Sequence, residues 1–143
     1  MILRKVRDSD RLGLFDVWRT SVKATHHFLT QQDFENIAAL VADHYLAVAD
    51  LWLVVDADDL AIAFMGLTDN SLDSLFVSPA HTGRGIGRRL TEHAASLAGP
   101  LIVDVNEQNS QAVGFYERMG FRVTGRSDRD NDGRPYPLLH MAQ

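Results

Sequence analysis

Apolar residues follow a helical period in the first third of the chain, strand-like runs in the middle, and both patterns in alternation towards the end. "ILRKV" reads as a short first strand. Asp8 to Asp10 form a helix-start signal, and Leu14, Phe15, Trp18 and Val22 then share one side of a helix. "THHFLTQQD" breaks that pattern. Thr30 with Asp33 has the form of a cap. It precedes a second helix that repeats Phe34, Ile37, Ala38, Val41, Tyr45 and Val48 at spacings of three and four. From Leu51 the period changes. "LWLVVD" and "LAIAFMGL", separated by the turn "ADD", predict a hairpin, and "LDSLFV" predicts a third strand beside it. Ile86, Leu90, Ala94 and Leu97 mark one face of a third helix that stops at Gly99-Pro100. "LIVDVN" is the next strand. "NSQAVGFYERM" is a short helix with Asn109 as its cap and Gly120 at its end. "FRVTGR" and "YPLLHM" are the last two strands, on either side of a polar loop from Ser127 to Arg134.

The resulting order, β-α-α-β-β-β-α-β-α-β-β, mixes strands and helices with three consecutive strands in the middle. That excludes a doubly wound parallel sheet and predicts an α/β layered domain, of the α+β kind, on a mixed sheet. No linker, repeat or low-complexity segment is visible, so residues 1–143 are expected to form a single domain.

Charge and composition narrow the function. Fourteen Lys and Arg against 19 Asp and Glu give a net charge of −5, which disfavours a nucleic-acid-binding role because phosphates demand a positive surface. No segment approaches the roughly 20 apolar residues of a membrane span, and "MILRKVRDSD" lacks a signal-peptide core. There is no cysteine, which removes disulfides, thiolate chemistry and cysteine–zinc sites. Six histidines are scattered without ligand spacing, so no metal is expected. "DRDNDG" begins like a calcium loop, but the closing glutamate is missing. The expectation is a cytoplasmic protein.

The chemistry concentrates in "LFVSPAHTGRGIGRRLTEHA". Gly83, Gly85 and Gly87 alternate between a strand and a helix. A helix N-terminus offers unpaired N–H groups and partial positive charge. Bare backbone lets a phosphate approach them closely, and Arg84, Arg88 and Arg89 add charge beside the same turn. The pattern is neither a Walker motif nor a dinucleotide fingerprint. Its alternative is a Gly-rich turn with no ligand.

Together with "VDVNEQNSQAVGFYERMGFRVTGR", this segment resembles the GNAT superfamily of N-acetyltransferases, which acetylate amines with acetyl-CoA. The resemblance covers Leu51 to Met141 and extends more loosely to the N-terminal helices. The family's Gln/Arg-x-x-Gly-x-Gly/Ala motif becomes Thr82-Gly83-Arg84-Gly85-Ile86-Gly87, with Thr82 in an unusual place. The resemblance implies a mostly antiparallel seven-stranded sheet, splayed in the middle and flanked by about four helices. It implies acetyl-CoA as cosubstrate, with its diphosphate on residues Thr82 to Arg88. Its pantetheine would pair with backbone around Leu75, Phe76 and Val77, and a backbone N–H of Phe76 or Val77 would meet the thioester carbonyl. It also implies Asn109 as a coenzyme contact and Tyr116 as proton donor to the leaving thiolate. Tyr116 is otherwise a core aromatic, and Asn109 otherwise a cap alone.

The acceptor side is read from several residues. His26 and His27 lie where the first helical pattern breaks, and in the superfamily that loop borders the acceptor. His26 is a candidate base or acceptor contact, against the alternative of two loop histidines, one packed and one exposed. Glu107, at the end of "LIVDVN", is a candidate base or a solvated surface glutamate. Asn106 and Tyr136 are candidate acceptor contacts, with Arg134 near them. Asp104 interrupts Leu101, Val103 and Val105 and turns to the opposite face, towards solvent or a polar edge. The expected function is acetyl transfer to a primary amine, a protein lysine or a small molecule, by a monomer or homodimer. The alternative is an acyl-CoA sensor without chemistry.

Overall fold

A computed structural model describes residues 1–143. Its strands are β1 (Ile2–Lys5), β2 (Leu51–Val55), β3 (Ala61–Thr68), β4 (Ser71–Val77), β5 (Ile102–Asn106), β6 (Arg122–Ser127) and β7 (Leu138–Ala142). Its helices are α1 (Arg11–Thr25), α2 (Gln31–Leu40), α3 (Leu46–Val48), α4 (Ile86–Ala98) and α5 (Ser110–Arg118). All seven strands join one sheet in the order β1-β2-β3-β4-β5-β7-β6. Every pairing is antiparallel except β4 with β5. The expected mixed, mostly antiparallel sheet is thus the one observed.

Helices cover both faces. Ile86, Leu90 and Ala94 of α4 and Tyr116 of α5 join one core with Met65, Val103 and Val105. Leu14, Val17, Trp18 and Val22 of α1 join a second with Leu51, Leu53 and Phe64. The central strand β3 is buried on both sides, so its sequence is a continuous apolar run rather than an alternation. The apolar faces read from periodicity fail at two places. Leu97 and Val48 are more than half exposed, each in the final turn of its helix, where no following turn covers it.

The helix expected to run unbroken from Phe34 to Val48 contains a π turn at Val41–Tyr45 between α2 and α3. The wider turn re-aims Tyr45, whose hydroxyl lies 2.6 Å from Ser74 Oγ on β4. Gly66 on β3 makes room for this contact, since a Cβ there would lie 2.1 Å from the Tyr45 hydroxyl and 2.9 Å from Ser74 Oγ. Gly66→Ala is therefore expected to destabilise the fold by about 1–3 kcal/mol, the usual cost of overpacking, in a urea melt. The helix-start signal at Asp8–Asp10 is a short 3-10 turn, and α1 begins at Arg11. Asp10 caps that turn rather than α1: its carboxylate accepts from Arg7 N–H at 2.7 Å and pairs with Arg4 at 2.8 Å.

β7 starts at Leu138, two residues later than its apolar pattern. Pro137 cannot donate to a ladder, and its carbonyl instead accepts from Glu107 N–H at 3.0 Å. Tyr136 is left in the preceding loop, buried, with its hydroxyl donating to Asp33 and accepting from Thr30 N–H at 3.3 Å. The loop is thereby docked on the N-terminus of α2, which Thr30 caps by accepting from Asp33 N–H.

Candidate active site

The site begins with a fault in the sheet. β4 and β5 share a single register pair, Ser71 with Ile102, and then diverge to Val77 and Asn106 without further pairing. Ser78 N–H donates to Ile62 carbonyl at 2.8 Å, which continues the β3–β4 ladder. Antiparallel alternation then turns Phe76 N–H towards β3 and turns the main-chain groups of Leu75 and Val77 into the gap. Val77 carbonyl accepts from Ser21 Oγ of α1 at 2.6 Å, which fixes this end of β4. The Phe76 N–H is thus engaged in the sheet, and the Val77 N–H faces the opening. The Phe76 side chain lines the opening instead.

The glycine turn closes the other end. Gly83 and Gly85 both have φ of 77°, the left-handed region, with open space where a Cβ would stand. Gly85 is the N-cap of α4 and supplies no side-chain cap, so the N–H groups at the helix start, residues 86 to 88, lack partners in the helix. Gly87 differs: it lies inside the first turn of α4, and a Cβ there would meet the Phe115 ring at 3.4 Å, an ordinary contact distance. Ile86 buries its side chain in the core beside α5 and offers the turn only its backbone. Thr82 Oγ donates to Pro79 carbonyl at 3.2 Å and so braces the turn. Arg88 pairs with Glu92 at 2.7 Å and Arg89 donates to Met1 carbonyl at 3.1 Å, whereas Arg84 is exposed and unpaired.

Between these features lies a cleft of about 380 Å³, lined by Leu75, Val77, Gly87, Asn109 and Tyr116 among others. Tyr116 is 6% exposed and packs edge-on against Phe115 and Phe121. It is both a core aromatic and a cleft residue. Burial alone pushes its phenol pKa well up, with no hydrogen bond to offset it, so the group is protonated at every physiological pH. Asn109 caps α5, accepting from Ala112 N–H at 3.2 Å, and also faces the cleft.

A second cavity, about 600 Å³, opens on the face of α1 and α2 and includes Leu29, Asp130, Asp132, Arg134 and Tyr136. The two adjoin, sharing His26, Leu72, Asp73, Phe76, Asp104 and Asn106 as lining residues. His26 thus stands at the junction, its Nδ1 2.7 Å from Thr25 Oγ1. Burial, and secondarily the charge of His27, lowers its pKa to about 4, so it is neutral at pH 7. An unfolded histidine titrates near 6.5. As pH falls from about 6.5 to 4, the unfolded chain gains a proton that folded His26 refuses, and stability falls by up to about 3 kcal/mol. Above that window the contribution is fully present. His26→Gln is expected to flatten this loss, read from urea melts at pH 4.5 and pH 7.

Two residues expected near the acceptor lie elsewhere. His27 is exposed and lines neither cavity. Glu107 also lines neither. Its carboxylate pairs with Arg126 at 2.5 Å, which lowers its pKa and makes it a poorer base. It belongs to a surface ion pair, which removes it from the candidate bases. Arg134 and Tyr136 do line this second cavity, as does Asn106 at the junction.

Sequence reasoning missed Ser21, Asp73 and the Tyr45–Ser74 contact. Ser21 was detectable as the polar member of the Leu14, Trp18, Val22 face. The Tyr45 contact depends on a π turn that periodicity does not announce. No group of three His, Cys, Asp or Glu side chains is arranged to hold a metal. No helix is long and apolar enough to cross a membrane.

Comparison with known proteins agrees with this architecture. The model of the acetyltransferase (GNAT) domain matches residues 43–123. The chain is 48% identical over 139 residues to the peptidyl-lysine N-acetyltransferase YjaB of Salmonella typhimurium, covering 97% of this chain and 95% of that one. It is 45% identical to the Escherichia coli protein of the same name, covering 98% and 95%. The solution structure of apo-form YjaB from Escherichia coli superposes with a TM-score of 0.93 at 44% identity, covering 99% of this chain and 97% of that one. The chain belongs to the GNAT family of acetyltransferases, enzymes that take their acetyl group from acetyl-CoA.

Proposed function

We propose that this enzyme moves the acetyl group of acetyl-CoA to the side-chain amine of a protein lysine, by direct attack of the amine on the thioester. The observation that carries this is that two cavities adjoin at the β4–β5 gap and share six lining residues. One runs from the glycine turn to a buried phenol, and the other is lined by carboxylates. The relatives at 45% and 48% identity bear the name peptidyl-lysine N-acetyltransferase, which supports lysine over a small-molecule amine.

The diphosphate sits on the free amides at the start of α4, with Arg84 beside it. The pantetheine lies along Leu75 and Val77 in place of the missing strand partner, with Asn109 on the opposite wall. As the amine attacks, charge builds on the thioester oxygen, and the N–H of Val77 is the donor that faces it. Tyr116 gives its proton to the departing thiolate. A phenol is a weak acid, but a thiolate whose conjugate acid has a pKa of about 8.5 is not a demanding leaving group. The lysine must be neutral to attack. At pH 7 only about one in 2,500 is, at a cost of roughly 4–5 kcal/mol in water. The proton leaves to water, and neutral His26, whose pKa of about 4 makes it a weak base, stands at the junction as a hydrogen-bond acceptor for the amine. Residues 1–143 form one catalytic domain in this proposal, acting in the cytoplasm as a monomer or homodimer.

The test is incubation with acetyl-CoA and a lysine-containing peptide. The expected result is free coenzyme thiol together with one acetyl group on the lysine by mass spectrometry. Binding of acetyl-CoA without thiol release for any lysine or small-molecule amine would instead make the protein a coenzyme sensor.

A further inference from the structure

The polar interruption in β5 has a built environment that the reaction above does not use. Val103 and Val105 are buried in the core beneath α4 and α5, so Asp104 between them projects from the opposite face. There it lines both cavities. Directly across from it in register, on β7, stands His140, with Nδ1 2.6 Å from Asp104 Oδ1. On the far side of the ring, Nε2 lies 2.7 Å from Ser127 Oγ at the end of β6. A carboxylate can only accept, so Nδ1 carries a proton and donates to Asp104, while Nε2 and the Ser127 hydroxyl share the second hydrogen bond. Three adjacent strands therefore hold one oxygen of Asp104 and leave Oδ2 without a hydrogen bond.

The other carboxylates of the acceptor cavity are engaged differently. Asp130 accepts from the N–H groups of Arg134 and Asp132, at 2.8 and 3.0 Å. Asp132 pairs with Arg134 at 3.0 Å. Asp73, which shares the junction, accepts from Thr68 Oγ1 at 2.5 Å. Asp104 is the junction carboxylate that is braced from behind by a ring and paired with no Lys or Arg.

We propose that Asp104 receives the ammonium group of the acceptor lysine, and that His140 and Ser127 are positioning residues that hold its carboxylate towards the cleft. The inference rests on the lysine acceptor proposed above. A charge-assisted N–H···O contact is the strong kind of hydrogen bond, and a carboxylate held in place by His140 at the rim of both cavities, open to an incoming side chain, selects a cationic amine over a neutral one. Such a contact is made before the amine is neutralised, so it acts on acceptor binding and not on the leaving group.

Steady-state kinetics with a lysine peptide and acetyl-CoA test this. Asp104→Asn is expected to raise the peptide KM about tenfold or more, with the acetyl-CoA KM unchanged. His140→Leu should move the peptide KM the same way. His140→Asn, which restores a donor near the Nδ1 position, should recover most of the loss, an outcome a merely structural histidine would not give. Asp73→Asn is the comparison and is expected to change the peptide KM less than Asp104→Asn does. An unchanged peptide KM in folded Asp104→Asn, or an equal rise in both KM values, overturns the role of Asp104 while leaving the enzyme a lysine acetyltransferase. Failure of the wild-type protein to acetylate any lysine peptide overturns both.

Discussion

Tyr116→Phe is expected to reduce turnover about 100-fold, within the usual range for a general acid, while acetyl-CoA binds as before. The phenol sits in a packed cluster with Phe115 and Phe121, so removing one oxygen leaves the aromatic packing in place. It has no hydrogen bond within the protein to lose. The whole effect should therefore appear in kcat and in kcat/KM to the same degree, the mark of an interaction made in the transition state. Because burial pushes the phenol pKa up, the wild-type rate should show no alkaline loss from this residue near pH 10, where a solvated tyrosine would ionise. Full turnover in Tyr116→Phe removes the residue from the chemistry and leaves it a core aromatic.

The second large effect belongs to the glycine turn. Gly85→Val is expected to weaken acetyl-CoA binding by tenfold or more, a loss of at least about 1.4 kcal/mol. Gly85 has a φ of 77° and is the N-cap of α4. A β-branched side chain there resists the left-handed conformation, at a cost of about 1–2 kcal/mol or more. Relief of that strain would rotate the free N–H groups away from their common focus. Gly99 separates this from simple destabilisation. It also has φ of 77°, at the other end of the same helix. Gly99→Val should lower the melting temperature yet leave coenzyme affinity, measured by calorimetry, as it was. Equal affinity losses in both variants would contradict a phosphate role for the turn.

Much of this site is legible in the residues themselves. The alternating glycines, the following amphipathic face and the cap at Asn109 identify a strand–turn–helix and a second helix, because positive φ and capping demand particular residue types. Only two of the three glycines answer the same demand. Gly83 and Gly85 permit a left-handed backbone, while Gly87 sits in helical backbone with contact-distance room for a Cβ beside Phe115. The sequence cannot tell these apart, since φ does not show in the letter. The gap between β4 and β5 is equally hidden. It depends on the two strands sharing one register pair, and pairing is a property of neighbours in space.

The acceptor side was harder to read for a related reason. His26 and His27 are adjacent in sequence, and burial alone separates them: one stands at the junction of the cavities, the other in solvent. Glu107 stands at a strand end where a base could act, but Arg126, nineteen positions on, lies against it. Asp104 was the reverse case, a polar residue in an apolar strand whose partners, His140 and Ser127, arrive from two later strands. Local pattern identified the elements and the coenzyme turn. Long-range partners decided which ionisable groups face the cleft.

The central claim is that unpaired amides at the start of α4 hold the diphosphate and so direct the thioester through the β4–β5 gap to Tyr116. A crystal structure with acetyl-CoA bound tests it most directly. The account predicts diphosphate oxygens about 3 Å from the N–H groups around residues 83 to 88, pantetheine beside Leu75 and Val77, and the sulfur within reach of the Tyr116 hydroxyl. A diphosphate seated away from that turn, or a sulfur on the far side of the sheet from Tyr116, would contradict it.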